Sequence, residues 1–112
     1  MLTIYHNPRC SKSRQTLALI EEAGKEVTIV EYLKTPLTVE QLISLADMLG
    51  STPIEMMRTK EAEFKEQQLA NSTDEQLFAA MAETPKLMER PIVTSADKAV
   101  IGRPPENVLT LW

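Results

Sequence analysis

The chain has only one cysteine, Cys10, among its 112 residues. One cysteine cannot close an internal disulfide, and it cannot supply the thiolates of a structural zinc site. We therefore expect no disulfide within the chain and no metal. Cys10 is either a small core residue or a reactive thiol, and its surroundings decide between these two interpretations.

Long apolar runs are also lacking. No run approaches the ~20 residues that a helix needs to cross a bilayer. The segment from Met1 to Tyr5 lacks the basic start and the long apolar centre of a signal peptide. Hydrophobic residues make up 43% of the chain and charged residues 25%, which is typical of a globular domain. We expect one domain over residues 1–112, located in the cytoplasm and without a membrane partner.

Basic charge is scarce as well, because 12 Lys and Arg stand against 16 Asp and Glu, for a net charge of −4. Such a balance excludes the broad basic surface that binds nucleic acid. The first twenty residues differ, since they contain Arg9, Lys12 and Arg14 but no acidic residue. Cys10 lies inside this positive segment.

The periodicity at the start of the chain predicts a β-α-β unit. Leu2 to His6 alternate with period two and end at Asn7-Pro8, which predicts a strand followed by a turn. A helix is predicted from Ser11 to Gly24, and the β-branched segment Glu26 to Tyr32 predicts a second strand. The apolar positions of the helix are Leu17, Ala18, Ile20 and Ala23.

The middle of the chain is predicted to be helical. Capping boxes begin at Thr38, Thr52 and Thr73, and Gly50 marks a helix end. The first of these helices is expected to pack through Leu42, Ile43, Leu45, Ala46 and Leu49.

A hairpin over Ile92 to Ile101 and a short last helix after Gly102 complete the predicted elements. We expect the last helix to turn Val108, Leu109 and Leu111 inward. The order β-α-β, helical insert and β-β-α predicts an α/β fold of the thioredoxin-like type, with a four-stranded mixed sheet.

Cys10 is predicted to lie where the first strand passes into the helix. A helix amino terminus and nearby cations lower the pKa of a thiol. The free amides of Ser11, Lys12 and Ser13 would point toward the sulfur, and they could equally bind an oxyanion. His6 lies four residues earlier and shares the loop. This setting favours a reactive thiol over a core residue.

Spacing excludes two related classes of thiol enzyme. A Cys-x5-Arg phosphatase loop needs an arginine where this chain has Thr16. A Cys-x-x-Cys oxidoreductase needs a second cysteine where it has Ser13. A bond formed at Cys10 therefore has to be resolved by an external thiol.

Three separated segments resemble the glutaredoxin-coupled arsenate reductase (ArsC) family, and together they extend over most of the chain. They are His6–Leu17, Glu89–Val93 and Ile101–Glu106. The resemblance implies arsenate or a similar oxyanion as the substrate, glutathione as co-substrate and glutaredoxin as partner. It implies no tightly bound cofactor.

The resemblance also implies roles for particular residues. Cys10 would be the nucleophile with His6 near the thiol, and the peptide bond before Pro91 would be cis. The oxyanion would be surrounded by Arg58, Arg90 and Arg103. Guanidinium groups suit this task because each can donate two hydrogen bonds to one oxyanion. The other substrate-binding positions of the first segment would be Ser11, Lys12, Ser13 and Arg14.

One segment departs from the family pattern. Well-established reductases carry Cys-Gly-Thr-Ser-Arg, whereas this chain has Cys10-Ser11-Lys12-Ser13-Arg14 and resembles a shorter, reductase-like branch. One alternative is therefore a thiol-dependent reductase of another substrate in the same fold. A second is a regulator that binds RNA polymerase, resembling the Spx-type proteins, although Ser13 interrupts the Cys-x-x-Cys common among them.

Overall fold

The computed structural model describes residues 2–112 and consists of four strands, four α-helices and several short 3-10 segments. The strands are β1 (Leu2–Tyr5), β2 (Val27–Val30), β3 (Ile92–Thr94) and β4 (Ala99–Ile101). The helices are α1 (Ser11–Glu22), α2 (Val39–Leu49), α3 (Ala62–Glu66) and α4 (Asp74–Glu83). None of these helices is long and apolar enough to cross a membrane.

The chain divides into two compact units. The first contains the residues up to Thr35 together with Arg90–Trp112, and the second contains Pro36–Glu89. The first unit thus holds all four strands and α1, while the second holds the predicted helical insert.

The first unit is built on a sheet with the strand order β2-β1-β3-β4. β1 pairs with β2 in parallel and with β3 antiparallel, and β3 pairs with β4 antiparallel. This arrangement confirms the predicted thioredoxin-like fold and its four-stranded mixed sheet. The hydrophobic core cluster of the first unit comprises Leu2, Ile4, Ile20, Val93 and Val108.

The first helix buries only part of the face that apolar spacing predicted, because Ile20 is buried and Leu17 packs against the core. Ser13, Thr16 and Ile20 are buried, whereas Ala18 and Ala23 are exposed. The buried positions follow helical spacing, but two of them are polar and carry no hydrophobic signal. Both hydroxyls are satisfied, because Ser13 bonds to His6 and Thr16 donates to the Lys12 carbonyl. These hydrogen bonds offset the free energy cost of burying the two hydroxyl groups.

The last helix is a 3-10 segment over Pro105–Leu111. Val108 is buried as expected, but Leu109 is 46% exposed, so the prediction that it turns inward was wrong. A 3-10 helix has three residues per turn, which aligns Val108 with Pro105 and Leu111 and leaves Leu109 on the solvent side.

In the second unit, the capping boxes at Thr38 and Thr73 form as predicted, each hydroxyl accepting from the backbone N–H three residues later. The box at Thr52 instead opens a 3-10 segment, Pro53–Met56. Leu42, Leu45 and Ala46 are buried on α2, but Ile43 is 43% exposed and was wrongly assigned to this face. Ile43 directly follows the buried Leu42, and successive residues of an α-helix are rotated by about 100°, so Ile43 lies outside the buried face.

Candidate active site

A tight turn places Cys10 at the amino end of α1. The backbone N–H of Cys10 donates to the Asn7 carbonyl at 3.0 Å, and the Arg9 N–H donates to Asn7 Oδ1 at 3.0 Å. The Cys10 carbonyl accepts from Arg14 N–H at 3.0 Å, so Cys10 caps the helix with an extended backbone. The remaining first-turn amides are free of helical partners and can face the sulfur.

The Cys10 sulfur lies near hydrogen-bond donors from the start of α1 and from the segment after β4. Nη1 of Arg103 donates to it at 3.8 Å, and hydrogen bonding by the backbone N–H groups of Ser13 and Lys12 lowers the pKa of the thiol. Burial by itself raises the pKa of the Cys10 thiol. These donors and the positive charge of Arg90 outweigh it, so the pKa lies below its ordinary value.

The Arg103 side chain is anchored to the backbone of Arg90. Arg103 Nη1 also donates to the Arg90 carbonyl at 3.1 Å, so one nitrogen contacts both the sulfur and the chain just before Pro91. The peptide bond between Arg90 and Pro91 is cis, which confirms what the family resemblance implied. The bond between Arg103 and Pro104 is cis as well.

His6 is connected to the thiol through Ser13. Nδ1 of His6 lies 2.6 Å from Ser13 Oγ, and both side chains are buried. Ser13 Oγ also accepts from the Asn7 backbone N–H at 3.0 Å, which fixes the turn before Cys10. Burial is the main cause that lowers the pKa of His6; the charge of Arg14 lowers it further and that of Glu31 raises it. Burial therefore favours the neutral form of the His6 imidazole in the folded protein.

The other residues predicted from the first segment lie on the exposed side of this turn. Ser11 and the Lys12 side chain are exposed at the start of α1. Arg14 is exposed too, and its Nη1 donates to the Pro8 carbonyl at 3.0 Å, so it braces the turn. The cations that lower the thiol pKa are thus Arg90 and Arg103, rather than the neighbours of Cys10 in sequence.

Arg58, the third arginine predicted to surround the oxyanion, belongs to the second unit. Its guanidinium forms an ion pair with Glu61. Lys86 approaches the other oxygen of Glu61 at 3.7 Å and Glu63 Oε2 at 3.3 Å. Arg58 thus already has an anionic partner, and its role beside Cys10 stays a prediction.

Two residues that support the site, Asn7 and Thr16, were not predicted to do so, although Asn7-Pro8 was identified as a turn signal. Asn7 organises the turn through its carbonyl and its side chain, and an asparagine before proline is a recognised signal for such a turn. Thr16 has no exposed surface, and its hydroxyl donates to the Lys12 carbonyl. The spacing of Ser13, Thr16 and Ile20 could have identified Thr16, had polar residues been allowed in the buried stripe.

Among residues 2–112, no three His, Cys, Asp or Glu side chains come together in a way that could hold a metal ion. The site described above is instead a set of hydrogen-bond donors around one sulfur. Such a set can stabilise a thiolate, and it can bind an anion next to it.

Comparisons with known proteins agree with this geometry. A sequence model described as the ArsC family matches residues 5–111. The chain is 53% identical to the Escherichia coli K12 protein carrying the name Uncharacterized protein YfgD, over 96% of this chain and 93% of that one. It is 49% identical to Arsenate reductase of Haemophilus influenzae, over 96% of both chains. The solved structure of Arsenate reductase from Vibrio cholerae gives a TM-score of 0.96 at 51% identity and covers 99% of this chain and 97% of that one.

We expect removal of either distant arginine to make the Cys10 thiol less acidic. Arg103→Gln removes a hydrogen bond to the sulfur and Arg90→Gln removes a nearby positive charge, so each should raise the thiol pKa. The rate of iodoacetamide alkylation against pH measures this. The wild-type midpoint should lie below ~8.5, the ordinary value for a thiol. Arg9→Gln changes net charge equally and should shift the midpoint less; an equal shift would contradict the assignment.

The buried His6 should make stability depend on pH. Because its pKa is lowered in the folded protein, the unfolded chain binds its proton more readily. The stability that His6 contributes is therefore present above about pH 6.5 and lost as pH falls through the folded pKa. His6→Gln should cost about 1 kcal/mol at pH 7.5 through the lost hydrogen bond. Urea unfolding should show that this difference shrinks at pH 5.5, and a difference that grows would contradict the assignment.

Proposed function

This chain is a member of the ArsC family, as its three sequence segments predicted, and from that membership we propose that it reduces arsenate to arsenite in the cytoplasm. The Cys10 thiolate is the nucleophile, Arg90, Arg103 and Arg58 hold the oxyanion, and glutathione with glutaredoxin supplies the electrons. Relatives named for arsenate reduction support an oxidoreductase.

The contact between Arg103 and the Cys10 sulfur is the observation that carries this proposal. A thiolate and an arsenate dianion repel each other, and that repulsion is the main obstacle to the first bond. Donors fixed before the reaction lower such a barrier most, because they need not reorganise as charge moves. Arg103 and the helix amides already surround the sulfur, so an oxyanion arriving there meets donors that are in place.

The first chemical step would join sulfur to arsenic. The Cys10 thiolate attacks arsenate, a sulfur–arsenic bond forms, and one arsenate oxygen leaves as water after protonation. Arsenic stays pentavalent in this step. The arginines hold the remaining oxygens and offset their charge.

The second step would transfer two electrons. A glutathione thiolate attacks the Cys10 sulfur, so a sulfur–sulfur bond forms and the electron pair of the sulfur–arsenic bond stays on arsenic. Trivalent arsenite then leaves. A glutaredoxin thiol takes the glutathionyl group from Cys10 and regenerates the thiolate.

The need for an outside thiol follows from the composition. Cys10 is the only cysteine, so the chain has no second thiol with which to resolve the intermediate. Glutathione and glutaredoxin are available in the cytoplasm, where thiols are kept reduced. No resident metal or cofactor takes part in this scheme.

The second candidate function is the thiol-dependent reduction of a different substrate at Cys10. Lys12 stands at the first turn of α1 in place of the usual threonine, and Ser11 replaces a glycine beside the sulfur. Both substitutions alter the approach to Cys10, so they can change which oxyanion or disulfide fits. The regulator alternative lacks support of this kind, because Ser13 is buried against His6 where a second cysteine would stand.

Arsenite release should require both Cys10 and an external thiol. With arsenate, glutathione and glutaredoxin, the wild-type protein should turn over repeatedly, whereas Cys10→Ser should be slower by at least about a thousandfold. Without glutathione, the wild type should form no free arsenite. Sustained release by Cys10→Ser would contradict the mechanism. An acidic thiol that never reduces arsenate would instead favour the second candidate.

Anion binding should depend on guanidinium geometry as well as charge. Arsenate or sulfate should slow alkylation of Cys10, and the concentration giving half protection reports the affinity. Arg103→Lys keeps the charge but loses the planar fork, so this affinity should fall about tenfold. Lys98→Arg, on the exposed turn between β3 and β4, is a matched control that should bind normally. If the anion protects Cys10 in Arg103→Lys as well as in the wild type, Arg103 does not bind the oxyanion.

A further inference from the structure

Gly102, the residue before Arg103, lies unusually close to two buried groups. A Cβ atom at this position would be 2.6 Å from Oγ1 of Thr16 and 2.8 Å from Cγ of Pro91. Such atoms normally stay about 3.5 Å apart or more. Only a residue without a side chain allows this approach.

Neither neighbour can easily move away. Thr16 is fully buried, and its Oγ1 donates to the Lys12 carbonyl at 2.8 Å, which adds to the stiffness of a β-branched side chain. Pro91 is a buried ring, and its carbonyl accepts from the Gly102 N–H at 2.9 Å. The backbone of Gly102 is therefore pinned against α1 and against the start of β3.

Asn107 holds the same stretch of chain from the other side. Its Nδ2 donates to the Ile101 carbonyl at 3.1 Å and to the Arg103 carbonyl at 3.3 Å. These two carbonyls lie on either side of Gly102. The stretch Ile101–Arg103 is thus fixed by packing at its centre and by hydrogen bonds at both ends.

We propose that Gly102 and Asn107 are positioning residues, which set the Arg103 backbone at the depth that brings its Nη1 to the Cys10 sulfur and the Arg90 carbonyl. This inference rests on the proposed function for its link to catalysis. Its geometric part concerns only the free protein.

The consequence is a site with little tolerance for displacement. A methyl group at Gly102 would push the chain outward by about 1 Å to reach normal contact distances. The contact of Arg103 with the sulfur, already 3.8 Å long, would then be lost. Misplacement of about 1 Å at a reacting centre can cost on the order of a hundredfold in rate.

A double-mutant cycle tests the proposal. Gly102→Ala and Asn107→Ala are each made in the wild type and in Arg103→Gln, and the pH midpoint of Cys10 alkylation is measured. Both changes should raise the midpoint in the wild type but add nothing in Arg103→Gln. With arsenate, glutathione and glutaredoxin, kcat/KM should fall about tenfold to a hundredfold.

Relief of the steric contact provides a second test. Thr16→Ala removes two of the three atoms that a Cβ at Gly102 would meet. Gly102→Ala combined with Thr16→Ala should therefore raise the midpoint less than Gly102→Ala alone does, and Thr16→Ala alone should also raise it less than Gly102→Ala does. If Gly102→Ala fails to fold, Asn107→Ala and this double variant still decide the matter.

Three results would overturn the proposal: no midpoint shift in the folded variants, an equal shift in the Arg103→Gln background, or no shift from Arg103→Gln itself. The alkylation midpoint needs no arsenate. A protein that fails to reduce arsenate but passes the cycle would refute the proposed substrate and leave the positioning roles standing.

Discussion

The acidity of the Cys10 thiol depends on the groups that surround its sulfur. Burial opposes a thiolate, and it is outweighed only because main-chain donors of α1 and two arginines from the far end of the chain act on the same atom. Each contribution alone is modest, since a single hydrogen bond to a charged group is worth about 1.5–3 kcal/mol. Their convergence on one sulfur lowers the pKa of the thiol, which favours the thiolate that the proposed mechanism requires.

The sheet explains why groups so distant in sequence meet there. The last residue of β1, Tyr5, pairs with Ile92 at the start of β3, and Ile92 pairs with Ile101 at the end of β4. Because these pairings are antiparallel, the chain after β1, before β3 and after β4 all emerges at one edge. That edge carries the Cys10 turn, Arg90 and Arg103. The hairpin is therefore as important to the site as the helix that begins beside the thiol.

The sequence predicted the fold and the position of Cys10 at the start of α1, but it did not predict the contacts that hold the site. Period-two and helical patterns located the strands and α1, and the single cysteine in a basic segment identified Cys10. Apolar patterns could not identify Ser13 and Thr16, because their burial depends on hydrogen bonds to His6 and Lys12. The basic neighbours of Cys10 were credited with acidifying it, whereas Arg90 and Arg103 do so through pairings that local sequence does not encode.

A single-turnover experiment tests the central claim most directly. The protein is mixed with excess arsenate and one equivalent of glutathione, without glutaredoxin, and then quenched in acid. We expect one arsenite released per protein, with the intact mass raised by one glutathionyl group that maps to Cys10. Arsenite released from protein whose Cys10 remains unmodified would contradict the account, because the two electrons would then have come from another source.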